Sequence, residues 1–297
     1  MKVKGIIPAL LTPLTSQQKV NEPVLRQLAN SLIDEGVHGL FALGTNGEFH
    51  LLTEEEKLKI AEVLVEEVNG RVPVVVGTGG NSTEEVISLS NKMERLGVDA
   101  LSIITPYFVT PTQEEVIVHF QKIASSTSLP ILLYNIPSKT GMSLNPQTVA
   151  TLAKVDNIIG IKDSSGNFEN IKQYIYETKE EDFSVLAGTD SLILKTLQEG
   201  GVGAIAATAN MIPEIVVDIY NNWSQGNLDK AEEAQQKLQP LRDTFQYGTL
   251  PAALKKAVEL YGLPVGPPKF PVQPISGMEL AHIQKMVEGY KKQSVSE

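Results

Sequence analysis

Three places in the chain combine residue types that can do chemistry. Lys162 closes the apolar run Ile158-Ile159-Gly160-Ile161 and is followed by Asp163. A lysine in such a place is rare unless it is paired or functional. Burial disfavours the charged ammonium, and the neutral amine is the form that attacks a ketone. Position alone leaves two readings: a Schiff-base nucleophile, or a structural ion pair with a carboxylate such as Asp163. Tyr134 ends a second run, Ile131-Leu132-Leu133. If the two runs are neighbouring strands, about 4.8 Å apart, its phenol can exchange protons beside the Lys162 amine. Otherwise it is a core tyrosine with a satisfied hydroxyl. The third place is the turn Gly44-Thr45-Asn46-Gly47, which offers hydroxyl, amide and backbone N–H groups to a carboxylate. As a bare motif it is also simply a turn.

Other chemistries fare worse. His38, His50, His119 and His282 are scattered, and His119 falls inside a helical pattern, so no metal site is expected. Gly188-Thr189-Asp190 with Gly200-Gly201-Val202-Gly203 has the look of a barrel phosphate site, but Asp190 and the lack of nearby Lys or Arg oppose it. Those glycines read better as places where a substrate approaches backbone. The chain has no cysteine, which excludes disulfides and thiolate chemistry.

These residues need elements to position them. Short apolar runs alternate with amphipathic stretches, predicting strands at Gly5–Leu11, Gly39–Ala42, Val72–Val76, Ala100–Ile104, Ile131–Tyr134, Ile158–Ile161, Ser184–Ala187 and Gly203–Ala206. Thr53-Glu54-Glu55-Glu56 is a capping box, Ser82-Thr83-Glu84-Glu85 starts another helix, and Gly36, Gly97 and Gly200 sit where helices should stop. Eight such units predict an α/β fold, a (β/α)8 TIM barrel over 1–214. No G-x-G-x-x-G follows the first strand, which argues against an open doubly wound sheet. From 215 to 297 the pattern is helical, read as an extension packed on the barrel in a single structural unit. Helices are expected at Ile215–Trp223, Leu228–Thr244, Leu250–Leu260 and Gly277–Lys291, around the proline-rich Gly262–Pro274.

The 297 residues carry a formal charge of −10, which disfavours nucleic acid and anionic membrane as partners. Lys255-Lys256 and Lys291-Lys292 read as solvated helix faces. No apolar run reaches the ~18–20 residues of a membrane span. The N-terminal stretch reads as a strand rather than a signal peptide, and a cytoplasmic enzyme is expected.

The strand-end segments, taken together, resemble the dihydrodipicolinate synthase / N-acetylneuraminate lyase family over essentially the whole chain. The matching segments are Ala9-Leu10-Leu11-Thr12-Pro13, Gly44-Thr45-Asn46-Gly47-Glu48, Tyr134-Asn135-Ile136-Pro137, Gly160-Ile161-Lys162-Asp163 and Val185-Leu186-Ala187-Gly188-Thr189-Asp190. The resemblance implies a pyruvate-dependent class I aldolase or lyase, assembled as a homotetramer of two dimers. No cofactor or metal is implied beyond the lysine Schiff base. Lys162 would condense with a 2-oxo acid, and Tyr134 would shuttle protons, oriented by Thr45. The Thr45 and Asn46 N–H groups would hold the substrate carboxylate, with Gly188 and Ile205 lining the pocket. Lys139 stands where the synthases place a substrate-binding arginine, and Phe108 where a partner subunit's tyrosine completes their proton relay. Lys139, Phe108 and Asn46 are three departures from the synthase pattern, and the Asn46 turn with Lys162-Asp163-Ser164 looks similar to the 4-hydroxy-2-oxoglutarate aldolase branch. The expectation is therefore cleavage or formation of a bond between pyruvate and an aldehyde, acting on a short hydroxylated 2-oxo acid. Condensation of pyruvate with aspartate semialdehyde is the alternative, and a catalytically silent sugar-acid-binding barrel is the non-enzymatic one.

Overall fold

The computed structural model describes residues 3–294. Its eight strands are β1 (Gly5–Pro8), β2 (Leu40–Ala42), β3 (Val74–Gly77), β4 (Ala100–Ile104), β5 (Ile131–Asn135), β6 (Ile158–Asp163), β7 (Ser184–Ala187) and β8 (Gly203–Ala206). All pairings are parallel, in the order β1-β8-β7-β6-β5-β4-β3-β2. The circle closes between β1 and β2 through the Ala9–Phe41 bridge, where the Leu10 N–H donates to the Phe41 carbonyl at 2.8 Å. The fold is a (β/α)8 TIM barrel.

Between the strands run α1 (Glu22–Asp34), α2 (Glu54–Val68), α3 (Thr83–Leu96), α4 (Gln113–Ala124), α5 (Pro137–Thr140), α6 (Pro146–Leu152), α7 (Phe168–Glu177) and α8 (Ile193–Glu199). Thr53 caps α2 in a full capping box, and Thr112 does the same for α4. Gly97 and Gly200 end α3 and α8 in the left-handed conformation. Two apolar layers follow from the period-two alternation of the strands. Ile7, Phe41, Val75, Leu132, Leu186 and Ile205 fill the barrel interior, while Ile6, Leu40, Val76, Leu133 and Ile161 face the helices.

Beyond β8 come α9 (Pro213–Ser224), α10 (Leu228–Gln236), α11 (Gln239–Asp243), α12 (Ala252–Tyr261) and α13 (Gly277–Ser294). The single helix expected over Leu228–Thr244 is broken into α10, α11 and a 3₁₀ turn at Thr244–Tyr247. Pro240 sits at the start of α11 and has no N–H to extend α10. Buried tail residues such as Leu238, Leu254, Ile283 and Tyr290 belong to the same apolar cluster as the barrel's outer layer. Lys255 corrects the expectation of a solvated helix face: its side chain is 1% exposed.

Candidate active site

Lys162 is the fifth residue of β6, one place further inside the strand than the sequence suggested. In register it lies directly opposite Tyr134 of β5, and Asn135 lies opposite Asp163. An extra residue in β6, Ile159, shifts the pairing between Ile131 and Leu132. Beyond that bulge the alternation sends Lys162 and Tyr134 into the barrel mouth and Asn135 and Asp163 out toward the helices.

This arrangement removes the ion-pair reading of Lys162. The Asp163 carboxylate accepts from Asn135 Nδ2 at 2.7 Å and from Ser165 Oγ at 2.6 Å. Behind it, the Tyr174 hydroxyl donates to the Leu144 carbonyl at 2.6 Å. Burial raises the Asp163 carboxyl and the Tyr174 phenol above their ordinary ranges. The Lys162 Nζ instead sits 4.1 Å from the Tyr134 ring centroid and 5.0 Å from that of Phe41. Its residue is 3% exposed, and no carboxylate among the described residues pairs with it. The amine is thus held against aromatic faces at a cavity wall, uncommitted to any such acid.

The Tyr134 hydroxyl and the Thr45 hydroxyl are 3.1 Å apart. Thr45 is held by the turn after β2, which is fastened from two sides. Thr12 Oγ1 donates to the Gly47 carbonyl at 2.7 Å. Glu48, left-handed at φ 58°, is buried and reaches Lys255 Nζ of α12 at 2.6 Å. The other Glu48 oxygen accepts the Lys269 N–H at 2.6 Å, and Lys255 Nζ donates to the Pro267 carbonyl at 2.8 Å. Among the described residues, neither the Thr45 nor the Asn46 N–H is used by a protein acceptor. The Asn46 Oδ1 is likewise buried without a partner. The turn therefore presents polar groups awaiting a ligand.

Thr45, Asn46, Tyr134, Lys139, Lys162, Gly188 and Ile205 all line one cavity of about 250 Å³. Gly188 is there for room: a Cβ would lie 2.9 Å from Lys162 Cε and 2.1 Å from Ser164 Oγ. Asp190 does not offer itself to a ligand, because its two oxygens accept the Ala207 and Thr208 N–H groups at 3.2 and 2.7 Å. The sequence reading missed Phe41, Arg242, Phe245 and Leu250. Phe41 looked like strand core, and the other three arrive from the tail with no local signal.

The histidines lie elsewhere. His38 accepts the Ile6 N–H, His119 pairs with Thr83 at 2.8 Å, and His282 stacks on Tyr247. No group of three possible metal ligands occurs among the described residues. No helix among them is long and apolar enough to cross a membrane.

The model of the dihydrodipicolinate synthetase family matches residues 2–289. The chain is 42% identical over 274 residues to the 4-hydroxy-tetrahydrodipicolinate synthase of Methanopyrus kandleri, covering 92% of this chain and 91% of that one. Among solved structures it resembles YagE, a prophage protein of E. coli K12 from the dihydrodipicolinic acid synthase family, solved in complex with pyruvate. There the TM-score is 0.93 at 35% identity, covering 97% of this chain and 98% of that one. A monomeric dihydrodipicolinate synthase variant gives a TM-score of 0.93 at 32% identity, covering 96% of each chain. The chain thus belongs to the dihydrodipicolinate synthetase family, pyruvate-dependent class I aldolases that work through a lysine Schiff base and no added cofactor.

Proposed function

We propose that Lys162 forms the Schiff base with pyruvate and that the chain condenses it with aspartate semialdehyde. The observation that carries the first part is the in-register Lys162–Tyr134 pair, with Thr45 3.1 Å from the phenol. Relatives at 35–42% identity named 4-hydroxy-tetrahydrodipicolinate synthase support the second part. The Thr45 and Asn46 N–H groups take the pyruvate carboxylate, fixing the ketone over the Lys162 amine. The amine attacks the carbonyl carbon and water leaves. The protonated iminium acidifies the methyl group, which loses a proton to give an enamine. The enamine carbon attacks the aldehyde, whose oxygen takes up a proton, and water hydrolyses the regenerated iminium to free the product and Lys162. Tyr134 carries protons between these centres, its hydroxyl oriented by Thr45.

A second reading, cleavage of a short hydroxylated 2-oxo acid, rests on Phe108 and Lys139. Phe108 is 93% exposed and has no hydroxyl to relay a proton. Lys139 lacks a guanidinium fork. Borohydride trapping with pyruvate and peptide mapping should place the adduct on Lys162; an adduct elsewhere sinks the mechanism. Turnover with pyruvate plus aspartate semialdehyde, far above that with 4-hydroxy-2-oxoglutarate, separates the two readings. We take residues 1–214 and the tail 215–297 as one catalytic unit, and a cytoplasmic location as part of the same reading.

A further inference from the structure

We propose that Arg242 of α11 recognises a second anionic group, a carboxylate at the far end of the aldehyde or 2-oxo acid. The inference rests on the Schiff-base reading and deepens it. The protein carries ten more acidic than basic charges, yet its cavity is lined mainly by basic side chains. Lys139, Lys162 and Arg242 line it, and Asp190 is the one acid among the lining residues. Asp190 is already committed to the Ala207 and Thr208 N–H groups. Positive charge is thus concentrated at the mouth of a negative molecule, which favours an anion there.

One anion is not enough to use it. The pyruvate carboxylate belongs to the Thr45–Asn46 turn at the Lys162 end. That leaves Lys139 and Arg242 to face the distal part of the ligand. Arg242 Nε is buried and has no hydrogen-bond partner, and no carboxylate among the described residues pairs with the side chain. With its Nε unpaired and no such carboxylate beside it, the guanidinium that lines the cavity favours an anionic group of the ligand. The guanidinium can meet a carboxylate with two parallel hydrogen bonds, which Lys139 cannot. The mount is firm, since the neighbouring Leu241 and Leu238 are fully buried in the core. Phe245 and Leu250 complete the same wall with apolar surface.

The test compares 2-oxo acids by borohydride trapping on the full chain, which needs no aldehyde. 2-Oxoglutarate and 2-oxopentanoate have the same chain length and differ in the distal carboxylate; pyruvate is the control. The unmodified chain should trap 2-oxoglutarate at lower concentration than 2-oxopentanoate. Arg242→Met should raise the half-saturating 2-oxoglutarate concentration about ten- to a hundredfold. Pyruvate and 2-oxopentanoate should stay within about twofold, and Arg242→Lys should recover part of the loss. Equal weakening of all three acids, no preference in the unmodified chain, or no effect of the substitution overturns the assignment. Absence of any pyruvate adduct in the unmodified chain is a different result: it removes the Schiff-base reading, and Arg242's role with it.

Discussion

The hydroxyl of Thr45 has one task that its backbone does not share. It sits 3.1 Å from the Tyr134 phenol, while its N–H, unused by any protein acceptor among the described residues, is the group proposed to hold the carboxylate. Thr45→Val keeps the shape and the N–H but removes the hydroxyl. Turnover should fall about ten- to a hundredfold with pyruvate trapping nearly unchanged. A matching loss in trapping would assign Thr45 to binding instead. Gly188→Ala tests the opposite face of Lys162, because the added Cβ meets Lys162 Cε at 2.9 Å and the Asp163 carbonyl at 2.9 Å. Adduct formation should be lost, with a stability cost of about 1–3 kcal/mol measured in urea. Far from the site, burial pushes the His119 imidazole down to about 4. The unfolded chain holds that proton below the ordinary histidine value of about 6.5, so stability declines as pH falls from there to about 4. His119→Gln should flatten the decline by close to one proton, read from urea midpoints between pH 7 and 4.

The turn after β2 and the helix α12 lie some two hundred residues apart, yet they meet through Glu48 and Lys255. Both side chains are 1% exposed. Burial holds the Lys255 ammonium below its ordinary value, and the Glu48 charge opposes that. Removing one partner leaves an uncompensated buried charge. Lys255→Met alone should therefore cost about 3–5 kcal/mol in urea unfolding. The pair Glu48→Gln with Lys255→Met removes both charges and keeps an acceptor for the Lys269 N–H. It should recover most of the loss, and equal losses in the single and double variants would refute the pairing argument. This contact marks where sequence reading stops. Strands declared themselves by apolar runs and helices by caps such as Thr53, because both signals are local. Lys162 stood out for the same reason, being a charge at the end of an apolar run. The burial of Lys255 and the arrival of Arg242 are long-range facts with no local signature, and Lys255-Lys256 reads as surface until α12 is placed. The β6 bulge at Ile159 is similar: it decides which side chains face the mouth, but an apolar run looks continuous through it.

At the scale of the molecule, the resemblance implies a homotetramer, and one surface feature bears on it. Phe108 and Val109 are 93% and 74% exposed, side by side in the loop after β4. Phe108 also holds φ at 78°, a conformation unfavourable for a bulky side chain. A loop that spends backbone strain to present two apolar side chains to water fits a surface covered by another subunit. Beside it, Tyr107 is anchored, its N–H donating to Asn81 at 2.8 Å and its ring meeting Phe49 edge-on. The expectation is self-association through this loop at micromolar concentration. Sedimentation velocity should find the unmodified chain larger than a monomer, and Phe108→Glu should shift it to smaller species. Because Phe108 does not line the Lys162 cavity, each separated subunit should still trap pyruvate. A monomeric unmodified chain, as in the monomeric variant it resembles, would leave the exposed pair without its proposed cover. Unchanged assembly in Phe108→Glu would place the contact elsewhere on the surface.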